Sequence, residues 1–513
     1  MAADNPFVDP VTSEDETREA SFTVDSTLTV GRDASLTLGT DTLIVLDEAF
    51  EEKDSKNCCG IFSSSKISAN TRAIPFYNIV WAEFRDGELV IDYAAPKSKT
   101  AVQAATLNYR IENPNEAAIE FWVMKLVDRA YGPSQRRKRV KVLVNPHAGR
   151  GRAVKWYGRD VEPLLKAARC TIDMVKTKYS GEAIEITENL DVDAYDVVAC
   201  CSGDGLPYEV FNGLGKRPDA RNALSRIAVV HIPCGSGNAM SCNLNGTYSV
   251  SLATLAIIKG IPTPLDLISI SQGETRFLSF LSQSLGIVAE LDLATEHIRW
   301  MGQARFTYGF LTRLIKQTTY PCDIAVKVAM DDKSEIREHW KREKVNREPM
   351  SERRGYNNFE DDDASARSGN EDGLPPLRYG TINDKLPDGW EMVPHNLRSF
   401  YCGNMAYMAM DQDFFPAALP NDGYMDLVCI TADTSRLTAI QMMLSVENGK
   451  FFDIPEVWYR KILGYRVIPR NQEDGYVSID GERIPFAPFQ AEVHRGLGTV
   501  LTKSGHLYEA RGP

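Results

Sequence analysis

The chain has 513 residues, which is enough for two or three domains with sizeable cores. Its hydrophobic fraction of 43% and charged fraction of 25% are typical of a globular protein, and its net charge of -12 argues against a general nucleic-acid binder, because nucleic acid is itself polyanionic. The ten cysteines show neither CxxC pairs nor a metal-ligand spacing, so we expect reduced, cytoplasmic thiols rather than a zinc site or a disulfide framework.

The first segments of the chain predict an N-terminal module. Residues 1–20 are acidic and polar, so we expect them to be disordered. Short strand-like runs follow, and Asp86-Gly87 between two of them is typical of a hairpin turn. Asn113-Pro114 predicts the start of a helix with apolar residues at helical spacing. Several strands closed by one amphipathic helix resemble a pleckstrin-homology (PH) domain, which we place at residues 21–135.

Three features bear on contact with membranes. The chain starts without the basic region and apolar core of a signal peptide, and it has no apolar run long enough to span a bilayer. Cys58 and Cys59, beside Ile61-Phe62, stand either in an ordinary surface loop or at a palmitoylation site. The basic run Arg136–Arg139 indicates a solvated linker with at most a minor role near acidic lipid. We therefore expect a cytoplasmic protein that associates peripherally with the cytosolic face of a membrane.

From residue 140 onward the organisation changes to alternating strands and helices. This alternation predicts an α/β lobe with a doubly wound parallel sheet over residues 136–262. Ligands of such sheets bind at the carboxyl ends of the strands. A mostly antiparallel β lobe is predicted for residues 263–513. Its acidic stretch at residues 331–395 has few apolar side chains at its centre, so we expect a disordered insertion there.

Three loops of the α/β lobe directly follow predicted strands: Asn145–Gly151, Ser202–Gly205 and Pro233–Ala239. Their glycines allow backbone N–H groups to approach an anion closely, and three loops at successive strand ends predict a phosphate site more specifically than one loop does. A P-loop is excluded because no GxxxxGK[ST] occurs, and a Rossmann dinucleotide site fits poorly because no GxGxxG opens the first helix. Asp204 cannot attract phosphate. It is either a general base or orienter for a hydroxyl, or an Asx-turn residue.

These motifs resemble those of the diacylglycerol-kinase catalytic domain. Among the kinases that have this domain, the resemblance is strongest to the sphingosine kinases, which are also called long-chain-base kinases. The resemblance covers roughly residues 140–325 and 396–503, and the N-terminal extension and acidic insertion resemble those of fungal and plant members. The motifs that carry it are Asn145-Pro146, Ser202-Gly203-Asp204-Gly205 with Glu209, Gly235-Ser236-Gly237-Asn238, Gly286 to Leu293, Gly302 to Phe306 and Asp480-Gly481-Glu482. Pro207-Tyr208 stands where many members have Met-His or Pro-His, and Cys234 replaces the usual alanine.

The resemblance implies a two-lobed lipid kinase that transfers phosphate from ATP, accompanied by Mg²⁺, to the primary hydroxyl of a sphingoid base. The general base would be Asp204, and Asp292 would bind the polar head of the lipid. The implied ATP-binding residues are Asn145, Pro146, His147, Thr177, Lys178, Tyr179, Ser180, Gly181, Glu209, Gly235, Ser236, Gly237, Arg299, Arg305, Gly481 and Glu482. The implied substrate-binding residues are Ser202, Gly203, Asp204, Gly205 and Asp292. The sequence shows no metal-ligand cluster, so Mg²⁺ would be held mainly by phosphates and water.

Other interpretations stay open at this point. A ceramide or diacylglycerol kinase would share the nucleotide lobe, and a non-enzymatic membrane lipid sensor or scaffold would use only the N-terminal module. The candidates for an alkyl-chain pocket are equally compatible with ordinary core. They are Leu278, Phe280, Leu281, Leu285, Phe306, Phe310, Leu311, Leu314, Ile315, Met405, Met408, Met410, Phe414 and Phe415.

Overall fold

The computed structural model describes residues 26–47, 71–286, 289, 321–345, 372–393, 397–410, 412–431, 434–470 and 475–513. Several residues with predicted roles lie outside these ranges: residues 1–20, Cys58, Cys59, Asp292, Arg299 and Arg305. The chain divides into two compact units, one formed by residues 1–136 with 167–169 and the other by the remaining residues.

Among its described residues, the first unit contains two antiparallel sheets, one α-helix and a short 3₁₀ helix, Phe76–Asn78. One sheet has the order β1-β2-β3-β4 and the other the order β5-β6-β7. The elements are β1 (Thr27–Thr29), β2 (Ala34–Leu38), β3 (Thr42–Asp47), β4 (Thr71–Pro75), β5 (Ile79–Arg85), β6 (Glu88–Ser98), β7 (Ala101–Arg110) and α1 (Glu116–Tyr131). Asp86 and Gly87 form the predicted hairpin turn between β5 and β6, both with positive φ. Helix α1 begins after Asn115, whose side chain accepts a hydrogen bond from Ala118 N, and it buries Trp122 and Leu126.

The second unit starts with a four-stranded parallel sheet in the order β11-β10-β8-β9. Its strands are β8 (Arg139–Val144), β9 (Thr171–Lys176), β10 (Val197–Ser202) and β11 (Ala228–Pro233). Its helices are α2 (Ala148–Gly151), α3 (Ala153–Trp156), a π-helix (Tyr157–Val161), α4 (Glu162–Ala167), α5 (Glu182–Glu188), α6 (Gly205–Gly215), α7 (Ala220–Arg226), α8 (Ala239–Asn245) and α9 (Val250–Lys259). Strands β10 and β11 are buried throughout, as expected for central parallel strands. The predicted parallel α/β lobe is confirmed.

The rest of the second unit is built around an eleven-stranded antiparallel sheet, which confirms the predicted β lobe. Its main path runs β13-β12-β24-β21-β20-β17-β14-β22-β23, with β15 paired to β21 and β16. The strands are β12 (Ile261–Gln272), β13 (Thr275–Ser279), β14 (Ser282–Gly286), β15 (Cys322–Met330), β16 (Glu391–Met392), β17 (Leu397–Gly403), β20 (Met425–Thr431), β21 (Trp458–Pro469), β22 (Val477–Ile479), β23 (Glu482–Ile484) and β24 (Phe489–Thr502). The described residues of this lobe also form the short pair β18 (Tyr407–Ala409) and β19 (Gln412–Asp413) and the helices α10 (Lys333–Val345) and α11 (Arg436–Asn448).

The prediction of disorder across residues 331–395 is wrong for two stretches, residues 333–345 and residues 372–393. Helix α10 occupies the first and buries Ile336 and Trp340. In the second, the Glu492 carboxylate accepts hydrogen bonds from the backbone N–H groups of Arg378 and Tyr379, at 2.8 and 3.0 Å. These stretches are held by a few buried side chains and by hydrogen bonds to the sheet, so polar composition alone does not establish disorder.

Candidate active site

A cavity of about 910 Å³ lies in the second unit, and two groups of residues form its wall. The α/β lobe contributes polar residues and glycines from the loops at the carboxyl ends of its four strands. The β lobe contributes mostly apolar side chains. Predicted ATP-binding residues on the wall are Asn145, His147, Thr177, Lys178, Tyr179, Ser180, Glu209, Gly235, Ser236, Gly237, Gly481 and Glu482. The predicted substrate-binding residues on the wall are Ser202, Gly203, Asp204 and Gly205. Two predicted ATP-binding residues, Pro146 and Gly181, are not part of the wall.

Two of the glycine loops are in direct backbone contact. A Cβ atom on Gly235 would lie 2.4 Å from Cα and 2.9 Å from N of Gly203, so glycine is required for this approach. Cys234 N donates to Ser202 O at 2.8 Å, which joins the loops where their strands end. Asn238 closes its own loop, because its side chain accepts from Gly235 N at 2.8 Å and donates to Gly235 O at 2.9 Å. The loops after β10 and β11 therefore act as one rigid support.

The third loop follows β8 and is also stabilised by its own residues. His147 N donates to the side-chain oxygen of Asn145 at 2.9 Å. Gly149 and Arg150 both have positive φ, and a Cβ atom on Gly149 would lie 2.3 Å from the ring of Trp156. Glycine at position 149 thus lets the loop pack on this ring and keeps its backbone at the cavity.

Asp204 lies on the cavity wall with its carboxylate fixed by helix α8. Oδ2 accepts from Ala239 N at 3.0 Å, and Oδ1 accepts from Met240 N at 2.9 Å. The side chain keeps 16% of its surface exposed. These two bonds to another loop disfavour the Asx-turn interpretation. The two hydrogen bonds fix both carboxylate oxygens, so the arrangement presents an oriented carboxylate that can take a proton from a hydroxyl at the cavity.

Glu209 also lies on the wall, but part of its carboxylate is used within the protein. Its Oε2 accepts from Ala183 N, at the first turn of α5, at 3.2 Å. This bond satisfies one of the N–H groups that a helix start leaves unpaired. Glu209 therefore links α6 to α5, next to the wall residues Thr177–Ser180.

The Asp480–Glu482 turn of the β lobe joins β22 to β23 and reaches the same cavity. The Asp480 carboxylate is buried and accepts hydrogen bonds from the side chain of Ser279 and from three backbone N–H groups, at 2.7 to 3.0 Å. Burial raises the pKa of Asp480 to about 6, although these hydrogen bonds oppose the shift. Glu482 is exposed, and its Oε1 lies 3.5 Å from where a Cβ atom of Gly205 would be. The turn thus lies beside the loop that carries Asp204.

The apolar part of the wall comes from strands β17 and β20, helix α11 and the segments near them. These residues are Leu281, Tyr401, Met408, Phe414, Val428, Ile430, Ala439, Met442, Val446 and Phe451. The ring of Phe414 contacts those of Tyr401 and Phe451, with centroids 5.3 and 5.8 Å apart. This surface is suited to an alkyl chain, because it offers aromatic and flexible methionine side chains next to polar loops.

Only three described members of the predicted alkyl-chain set line the cavity: Leu281, Met408 and Phe414. Five others are buried in the core away from the wall: Leu278, Phe280, Leu285, Met405 and Phe415. Met410 is exposed, and residues 306, 310, 311, 314 and 315 lie outside the described ranges. The contribution of α11 was not predicted, because its apolar residues do not mark one face: Leu437 and Leu444 are exposed, whereas Ala439, Met442 and Val446 are buried.

Comparisons with known proteins identify the class. Residues 139–270 match the diacylglycerol kinase catalytic domain, and residues 393–502 match the YegS C-terminal NAD kinase beta sandwich-like domain. Residues 26–132 match a domain of unknown function, DUF7493. The catalytic-domain match coincides with the loops described above, so the second unit is a kinase of the diacylglycerol-kinase type.

Relatives narrow the class to one family. The chain is 36% identical over 511 residues to sphingoid long chain base kinase 5 of Saccharomyces cerevisiae, an alignment that covers 90% of this chain and 73% of the relative. It is 33% identical over 460 residues to sphingoid long chain base kinase 4 of Schizosaccharomyces pombe, covering 88% and 91%. Sphingosine kinase 1 of Homo sapiens is 28% identical over 385 residues, covering 72% and 92%. The chain belongs to the sphingoid long-chain-base kinase family, which confirms the family predicted from its motifs.

Proposed function

We propose that this protein transfers the γ-phosphoryl group of ATP to the primary hydroxyl of a sphingoid long-chain base and so forms the base 1-phosphate. The observation that carries the proposal is the oriented Asp204 carboxylate on a cavity wall that combines glycine loops with apolar side chains. The close relatives in fungi are named as kinases of this substrate class. A sensor or scaffold has no need for such an assembled site.

The reaction follows from what each part of the wall offers. Phosphoryl transfer depends mainly on positioning and on stabilisation of charge, and the backbone N–H groups of the Gly203 and Gly235 loops serve both purposes. As the lipid oxygen bonds to the γ-phosphorus, its O–H bond breaks and the proton passes to Asp204. The bond from phosphorus to the bridging oxygen breaks at the same time, and its electron pair leaves with ADP.

Mg²⁺ enters the proposal together with ATP. Within the described parts of the chain, no three metal-ligating side chains stand close enough together to hold an ion. In the proposal, the ion is held mainly by phosphate oxygens and water, with one or two carboxylates. Glu209, on the cavity wall, stays the residue proposed to contact the nucleotide. The bound ion would neutralise charge on the phosphoryl group.

Further assignments rest on the sequence. Asp292 would pair with the amine of the base, and Arg299 and Arg305 would contact phosphates, because arginine suits bidentate phosphate binding.

The sheets and helix of the first unit support assigning residues 21–135 to a PH-like module. Within the described ranges, the longest apolar helices fall short of what crossing a bilayer requires. We propose surface attachment through this module, with lipidation of Cys58 or Cys59.

The test is turnover of a lipid panel by the purified protein. The panel holds sphinganine, phytosphingosine, sphingosine, ceramide and diacylglycerol with MgATP, and the readout is radiolabelled lipid phosphate. We expect phosphate on the sphingoid bases, and loss of it with EDTA or in Asp204→Asn. Turnover of ceramide or diacylglycerol alone would support those kinases instead. Asp292→Ala should impair sphinganine turnover more than diacylglycerol turnover, because only sphinganine carries the amine.

A further inference from the structure

His231 is a fully buried histidine on β11, and its sequence context predicted no role for it. Its Nε2 lies 2.9 Å from the backbone oxygen of Ser202, the first residue of the loop that carries Asp204. A carbonyl oxygen can only accept a hydrogen bond, so Nε2 must carry the hydrogen. This contact therefore fixes the tautomer of the ring.

The other ring nitrogen faces the predicted general base. Nδ1 lies 3.5 Å from Oδ1 of Asp204, and it has no hydrogen-bond partner among the described residues. In a neutral ring with hydrogen on Nε2, Nδ1 is an acceptor. At 3.5 Å the two atoms are farther apart than the about 2.8 Å at which an N–H group donates to a carboxylate, so no hydrogen bond joins them. A buried polar atom without a partner needs an explanation.

The geometry of Asp204 explains why Nδ1 of His231 lies buried without a hydrogen-bond partner. Its oxygens are oriented by Met240 N and Ala239 N, so Oδ1 stays directed at the imidazole. Both groups are acceptors while the carboxylate is ionised. Once Asp204 carries a proton on Oδ1, the new O–H becomes a donor and Nδ1 becomes its partner.

We propose that His231 is a positioning residue that stabilises the protonated form of Asp204. This rests on the proposed function. In the transfer step the lipid O–H bond breaks, the proton moves to Oδ1, and the Oδ1–H group donates to Nδ1 while the phosphoryl group bonds to the lipid oxygen. The imidazole takes no charge, and the bond to Ser202 holds it in place. This hydrogen bond exists only after proton transfer begins, so it favours the transition state over the ground state.

A purely structural role, in which His231 only supports the Ser202 carbonyl, predicts different mutant behaviour. His231→Gln offers a side-chain N–H for that carbonyl but no ring nitrogen at the Nδ1 position. His231→Phe fills the space and offers neither. A structural role therefore predicts rescue by glutamine, whereas our proposal predicts that both variants lose activity.

The first experiment measures kcat and KM with the lipid that the wild type phosphorylates best. We expect kcat of His231→Gln to fall about tenfold, the loss of one hydrogen bond made in the transition state, with KM for ATP within about twofold. In an Asp204→Asn background the same change should leave the residual rate unaltered. Wild-type kcat in His231→Gln, or an equal loss in both backgrounds, would overturn the proposal.

A second measurement needs neither a variant at position 231 nor turnover. In protein labelled with ¹⁵N-histidine near pH 7, the imidazole signals that Asp204→Asn perturbs should show hydrogen on Nε2 and none on Nδ1. Hydrogen on Nδ1 would contradict the proposal. If no sphingoid base is phosphorylated, the proposed function fails. The tautomer measurement is independent of that result, because it shows directly whether Nδ1 of His231 faces Asp204 as a hydrogen-bond acceptor.

Discussion

The Ser202–Gly205 loop and the Asp480–Glu482 turn look alike in sequence, yet they hold their aspartates in opposite ways. Both place an aspartate next to glycine at the same cavity. Asp204 receives two backbone N–H groups and keeps part of its surface exposed. Asp480 is enclosed by four donors. The first arrangement leaves a carboxylate able to react, and the second uses the carboxylate to hold the chain at Ser279 to Ser282 in place.

The difference shows that an Asp-Gly pair does not by itself indicate chemistry. The number of donors around the carboxylate and its access to the cavity decide whether it handles protons or stabilises the fold. Variants at the two positions should therefore separate activity from stability.

The largest effect is expected for Asp204→Asn. An amide cannot accept the lipid proton, so kcat should fall by at least about 100-fold. The amide keeps one acceptor oxygen and leaves one of Ala239 N and Met240 N without an acceptor, so the melting temperature should fall by only a few degrees. Steady-state kinetics beside a thermal melt check both statements, and activity within about tenfold of wild type would remove Asp204 from the role of base.

Asp480→Ala should act mainly on stability. It leaves the Ser279 hydroxyl and three backbone N–H groups buried without an acceptor, so the free energy of unfolding should fall by about 3 kcal/mol or more. Urea unfolding measures this loss. Asp480→Asn, which keeps one acceptor, is the matched control and should lose less. A loss under about 1 kcal/mol in the alanine variant would contradict the role given to this turn.

Gly235→Ala should weaken nucleotide binding without removing any polar group. The added methyl meets the Gly203 backbone at 2.4 Å, so the two loops must move apart. We expect KM for ATP to rise about tenfold, equivalent to one lost hydrogen bond. Gly158→Ala, where nothing lies within 4 Å of the added methyl, is the control and should behave as wild type. An unchanged KM in Gly235→Ala would mean that the loops tolerate separation.

The smallest expected effect is the pH dependence that Asp480 contributes to the free energy of unfolding. Its folded-state pKa of about 6 lies above the unfolded value of about 3.9, so the fold favours the protonated form. Its contribution to stability should therefore increase as pH falls from 7 to 5, by about 1 kcal/mol. Unfolding free energies of wild type and Asp480→Asn at pH 7, 6 and 5 give this difference. A constant difference would show that the pKa is not raised.

The sequence was most informative where function depends on short motifs. The glycine loops and the parallel lobe were predicted because each loop directly follows a strand, and strand order brings the loops together. The family was predicted because the motifs resemble those of its members. The burial of Asp480 could not be predicted, because its partners lie about 200 positions away in the chain. The role of His231 could not be predicted either, because it depends on Asp204, which lies on the loop after the neighbouring strand β10. Helix α10 was missed because a few buried residues anchor a polar sequence.

The contact between Gly203 and Gly235 has a consequence for how this family can diverge. Where two side chains touch, a change in one can be compensated by a change in the other. Here the opposing atoms are main chain on both sides, so no substitution in one loop can make room for a larger residue in the other. We therefore expect substitution to be blocked at position 235, whereas a Cβ atom at position 203 would lie an ordinary 3.5 Å from Cα of Gly235. The apolar wall is built from side chains, so it remains open to paired exchanges that alter the lipid accepted.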